Sequence, residues 1–320
     1  MKKYILPLLF FIIAQYVCAQ EATERIVPIK FGSMEHWTVR YIKESKLLGG
    51  DTKTLYILAP TDTISENEPF DFKRKTVWGI SNAYANIMGI AKASLSTQPE
   101  KRGNGWCARL DTKLETVKVL GVIDIEVCVA GALFLGSVIE PVKSINDPYS
   151  VINVGVPFTG KPTALMLDIK TRVNTECKVV KALGMGKSYI DGHDEPEVYV
   201  FLQRRWEDEK GNVYSRRIAT AYERFPTTIS SWKNKYRIPL TYGDITGQPF
   251  YKSYMGLDRG DKNFKVLNSK GKMVQLQEVE WGDGDDTPTH VIVMVAAGCY
   301  PAFYGSPGNA IWVDNISWVY

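Results

Sequence analysis

Residues 198–222 read VYVFLQRRWEDEKGNVYSRRIATAY, and this stretch decides the fold class. Residues 198–206 are dominated by aromatic, β-branched and other side chains that suit a pleated, half-buried surface. Residues 208–212, DEKGN, are a turn signal, with Gly211 supplying backbone freedom. Residues 213–222 then read as a return strand, so the whole stretch is a β-hairpin.

The same signals recur outward from it. Residues 54–59 (TLYILA) form a short apolar run ended by Pro60, and residues 117–129 (VKVLGVIDIEVCV) alternate over long stretches. In residues 164–173, Leu165, Leu167 and Ile169 fall on one face of a strand, because side chains alternate along an extended backbone. Residues 236–240 and 311–320 add strands, and residues 290–297 (HVIVMVAA) suit a strand buried on both faces. The best helical pattern, over 265–279, is interrupted by Asn268-Ser269-Lys270-Gly271. Many short strands separated by Gly and Pro predict an all-β sandwich or barrel. Residues 62–72 are polar enough for a loop, but they join strand-like regions, so residues 20–320 read as a single sandwich with 20–72 contributing the N-terminal strands.

Residues 1–19 have the order of a cleavable secretory signal: Lys2 and Lys3, an apolar run over 4–14, then Val17-Cys18-Ala19. The run is well short of the roughly 20 apolar residues of a membrane-spanning helix. Cleavage after Ala19 gives a mature chain starting at Gln20; the rival is a lipoprotein modified at Cys18, which Val17 disfavours. With no further long apolar stretch, the protein is expected to be periplasmic, secreted or on the cell surface. The charge is balanced, 39 basic against 35 acidic side chains, which argues against a nucleic-acid partner. Cys107, Cys128, Cys177 and Cys299 are far apart without CxxC spacing, so zinc is disfavoured and free thiols are expected ahead of disulfides, with Cys107, Cys128 and Cys177 as small buried hydrophobes.

Several segments, in order, resemble the PCMD family, the putative carbohydrate metabolism domain: FGSMEHW at 31–37, VWGISNAYAN at 77–86, GNGWCARLDT at 103–112, PFTGKPTALMLDIK at 157–170, residues 219–244, and IWVDNISWVY at 311–320. The resemblance implies a jelly-roll sandwich like a carbohydrate-binding module, and a glycan partner. It carries no catalytic residues to transfer. The terminal segments are similar to those of sugar-binding jelly rolls, in which carboxylates near the two ends hold a structural calcium ion; Glu35 and Asp314 are the matching positions, and calcium's preference for several oxygen ligands suits them. The loop at 299–306 is more aromatic than in the family.

Sugar recognition needs flat apolar faces beside planar hydrogen-bonding groups. Tyr300 and Tyr304, in a loop with Pro301 and Gly305, and Trp206, at a strand end, are the ligand-binding candidates. Arg204, Arg205, Arg216 and Arg217 read as a basic strip or as solvated edge charges. The acidic loop at 281–288 lacks the calcium-loop order of an EF-hand. A glycoside hydrolase needs two carboxyls about the scissile bond. Asp124 and Glu126, on one strand face, and Glu223 are the catalytic candidates, while no nucleophile elbow or metalloprotease motif is present. The expected function is glycan binding; the alternatives are a glycoside hydrolase using a carboxylate pair and a non-catalytic surface protein.

Overall fold

The computed structural model describes residues 24–119, 123–144, 146–184, 186–260 and 262–320. The signal-peptide reading, Cys18 included, lies outside the described residues, as does the side chain of Asp124.

Eight strands make the frame: β1 Gly105–Val119, β2 Ala132–Val138, β3 Ala164–Arg172, β4 Glu197–Glu207, β5 Val213–Arg224, β6 Lys233–Pro239, β7 His290–Ala296 and β8 Ala310–Val319. One sheet has the order β1-β8-β3-β6 and the other β2-β7-β4-β5, with antiparallel neighbours throughout. The chain thus crosses between sheets at almost every step, which is the jelly-roll arrangement of an all-β sandwich. Among the described residues, shorter strands extend each sheet to ten strands. The hairpin read from residues 198–222 is β4–β5, with Trp206 opposite Tyr214 and Gly211 at a φ of 88° in the turn.

Alternation explains the core. Leu165, Leu167 and Ile169 of β3, Val198, Val200 and Leu202 of β4, and Val291, Val293 and Val295 of β7 are all fully buried between the sheets. Each such side chain contributes roughly 1.5–3 kcal/mol. A second apolar cluster lies on the opposite face of β4 and β7, where Tyr199, Phe201 and Ile292 meet Phe264, Val266 and Leu276. Its cover comes from strands Lys265–Leu267 and Met273–Trp281, the region whose pattern was nearest to helical. Asn268 closes the turn between them, its side-chain oxygen accepting from the backbone N–H of Lys270 and Lys272. Covering both faces of β7 accounts for its unbroken apolar run. The stretch at 117–129 belongs to two antiparallel strands, β1 and Ile123–Ala130.

The N-terminal segment joins the sandwich by two routes. Strand Ile26–Pro28 pairs with β8, so the two ends of the described chain lie side by side. Trp37, Ile57 and Leu58 of a small three-stranded sheet share the main core with Trp78, whose indole N–H donates to Lys30 O at 2.7 Å. The four cysteines are free; of the three expected to be buried, Cys107 and Cys128 are, but Cys177 is exposed, and Cys299 is half-buried. Burial pushes the Cys107 and Cys128 thiols up to about 11 and about 12, so both stay protonated and unreactive.

Candidate functional site

The β4–β5 hairpin runs past the end of the core. Beyond Leu202, the face that carried valines inside the sandwich carries Arg204 and Trp206, opposite Arg216 and Tyr214. A bulge at Ile218 makes this possible: it keeps Ile218 in the core while turning Arg217 to the other face. Trp206 is 41 % exposed, the most open of the chain's eight tryptophans. It stacks on Tyr214 with ring centroids 5.9 Å apart and planes at 23°, and the Arg216 guanidinium lies 5.8 Å from its ring. The acidic loop at 281–288 and the strand Met273–Trp281 before it supply the counter-charges. Arg204 Nη1 lies 3.2 Å from Asp286 Oδ1, and Arg216 Nε 2.5 Å from Glu280 Oε1. Two arginines that would repel across the hairpin are thereby each neutralised.

A pocket of about 440 Å³ adjoins this face, lined by Thr159, Arg204 and residues 285–289. Its wall is fixed by backbone contacts: Arg205 N donates to Thr289 Oγ1 at 2.8 Å, Phe158 N to Thr289 O at 2.9 Å, and Lys161 Nζ to Gly284 O at 2.7 Å. Open hydroxyls, a carboxylate pair at Asp285–Asp286 and a guanidinium thus sit near an exposed indole, which is the mixture that a polyhydroxylated ligand requires. Trp206 was legible from its strand end. Tyr214 was not singled out, although the hairpin register that the turn sets places it opposite Trp206. Thr159 and Glu280 come from distant segments and carried no sequence signal, and Asp286 was read only as part of a charged loop.

The other predicted residues lie elsewhere. Tyr300 and Tyr304 are half-buried, and Tyr304 forms a short strand with Gly305 against Val180 and Lys181. Their loop is pinned by buried Asp194, which accepts from Cys299 N and Ser306 N, each at 2.8 Å. Asp314 faces Asp168 across β8 and β3, and one nitrogen of Arg102 reaches both carboxylates, at 2.6 and 2.7 Å. Trp232 stacks 4.0 Å from the Arg102 guanidinium. Burial pushes Asp314 up, whereas for Asp168 it is outweighed by hydrogen bonds from Asn315, Lys235 N and Arg102, which hold that carboxyl below its ordinary range. Glu35 instead accepts from Trp106 N at 3.1 Å. Among the described residues no group of three or more His, Cys, Asp or Glu is gathered in the manner of a metal cage. Glu126 pairs with Lys187 at 3.2 Å. Glu223 sits where β5 faces β6; burial raises its carboxyl, and the Tyr236 hydroxyl donates to it.

Comparison with known proteins agrees with the resemblance in the sequence. The family described as putative carbohydrate metabolism domain, PCMD, matches residues 58–249, more than half of the chain, and the chain belongs to that family. Among solved structures, one from Bacteroides thetaiotaomicron described as a putative glycoside hydrolase is 15 % identical, with a TM-score of 0.44 over 88 % of this chain and 71 % of its own. One from Bacteroides vulgatus with the same description is 14 % identical, with a TM-score of 0.38 over 92 % of this chain and 94 % of its own. No curated protein matches the chain. Among the described residues no helix is long and apolar enough to cross a membrane.

Proposed function

We propose that this protein binds a glycan outside the cytoplasm, at the rim of the sandwich formed by Trp206, Tyr214, Arg204 and the 285–289 wall. The observation that carries the reading is the exposed Trp206 face beside a pocket lined by hydroxyl, carboxylate and guanidinium groups. The C–H face of a pyranose stacks on the indole, while Arg204, Asp285 and Thr287 read hydroxyls. Family membership in carbohydrate metabolism supports the ligand class. Titration calorimetry against the oligosaccharides selected by a glycan array tests it. Trp206→Ala is expected to weaken binding at least about tenfold, or 1.4 kcal/mol, with an unchanged circular dichroism spectrum. Wild-type affinity in the folded variant would remove the site from consideration.

Glu223 favours a second reading, hydrolysis. A carboxyl raised by burial is suited to donate a proton to a leaving group. The Asp168–Asp314 pair is committed to Arg102 and so suits structure better than acid–base work. Slow turnover of a bound oligosaccharide, lost in Glu223→Gln, would establish this reading; binding without any turnover by the wild type would end it.

A further inference from the structure

The sheet that contains β1 and β8 ends, on its far side, in a hairpin of strands Lys178–Gly184 and Lys187–Asp191. The outer strand pairs with the inner one through five residues and, among the described residues, with nothing on its other side. All five of its residues are exposed. Leu183, Tyr189 and Ile190 are among the large apolar side chains most open to solvent.

Two hydrogen bonds fix which backbone groups face outward. Ala182 N donates to Phe303 O, away from the outer strand, and Gly192 N donates inward to Cys177 O. Ala182 lies opposite Lys187. In an antiparallel ladder the bonded positions alternate, so Lys187, Tyr189 and Asp191 present their N–H and C=O groups to the free edge. Their side chains also share one face.

The sequence of this edge, KSYID, complements itself. When two copies run antiparallel about a two-fold axis through Tyr189, Tyr189 meets its own counterpart, and Lys187 of each copy meets Asp191 of the other. Roughly six backbone hydrogen bonds form, and the two charge pairs are of the kind that favour strand pairing. A lysine usually keeps an edge single, but here its partner is built into the same strand. Lys187 already lies 3.2 Å from Glu126 Oε1, so it would bridge its own carboxylate and that of the other copy.

We propose that strand Lys187–Asp191 is a self-association edge through which two copies of this chain join their sheets into one. Five residues offer far less than the roughly 800 Å² per partner of a stable interface, so the dimer is weak and exchanges. It sets two Trp206 rims on one particle.

Sedimentation velocity from about 1 μM to 1 mM, a range set by the affinity scale of weak association, tests this on the mature chain. A reducing agent is included because Cys177 is an exposed thiol. The wild type is expected to shift from monomer toward dimer across the series. Asp191→Lys and Lys187→Glu, each verified as folded by circular dichroism, are expected to weaken association at least about tenfold. An equimolar mixture of the two variants restores both charge pairs and should dimerise. A wild type that stays monomeric throughout, variants that associate as the wild type does, or a mixture that fails to recover would each overturn the proposal. Because none of these readouts uses a sugar, they stand or fall apart from glycan binding.

Discussion

The two faces of the β4–β5 hairpin carry the same residue type to opposite ends. On one face Arg204 and Arg216 have side chains 53 % and 48 % exposed, each paired with one acid at the rim. On the other, the Arg217 and Glu278 side chains are both fully buried and bonded to each other. Glu278 also accepts from Gln203 Nε2 and Asp258 N, and the Arg217 guanidinium lies 3.4 Å from the Phe201 ring centroid. Burial would raise the Glu278 carboxyl, but the charge and hydrogen bonds of Arg217 outweigh it and hold the group below its ordinary range. Arg205 shares that face; burial pushes it down to about 9, and its Nη2 is buried without a hydrogen-bond partner among the described residues. The lesson is that a basic dipeptide says little until its two faces are assigned. Water screens one arginine and makes it available to a ligand; the protein interior commits the other to a single partner.

The sharpest way to break this contrast is Arg217→Met. It strands a buried carboxylate, and removal of one partner of a buried pair costs about 3–5 kcal/mol. Urea denaturation should show a loss of that size, and the double variant Arg217→Met, Glu278→Leu should recover most of it, because no unpaired charge remains. A loss as small in the single variant as at a surface site would mean that this face is wet.

His290 gives an intermediate effect on the same buried face, opposite Gln203. Burial, aided by the Arg205 charge, lowers its imidazole from 6.5 to about 4. The unfolded chain therefore takes up the proton first as pH falls. Stability is complete above about pH 6.5, and declines between there and pH 4, by roughly 3 kcal/mol or less. His290→Gln should flatten that part of a stability-versus-pH curve; an unchanged curve would place the ring in solvent.

Arg204→Ala should show the smallest effect, within about 1 kcal/mol by thermal melting, since exposed pairs contribute little. It should nevertheless weaken glycan binding. A stability loss approaching that of Arg217→Met would erase the distinction between the faces.

Much of the frame was legible. The DEKGN turn fixed the β4–β5 register, and the Leu165-Leu167-Ile169 alternation fixed which face of β3 is inside. Trp206 could be singled out because it ends its strand just before a turn. The pairing of Arg102 with both Asp168 and Asp314 could not be, since its members come from three strands far apart in the chain. Nor could the half-buried state of Tyr300 and Tyr304, which depends on Asp194 gathering their loop from outside it. Residues 265–279 were ambiguous because they cover a second core, a role that local periodicity does not encode.

By itself, then, the sequence determined the all-β class and the alternating core, because strand periodicity and turn chemistry act over a few neighbouring residues, while the PCMD family was legible in the order of its motifs along the chain. Only the tertiary structure decided which arginines are buried and which acids neutralise them. It also decided that Trp206 stands beside a pocket built from distant loops. Burial and ion pairing are set by segments that meet only after the two sheets have packed, so no local pattern records them.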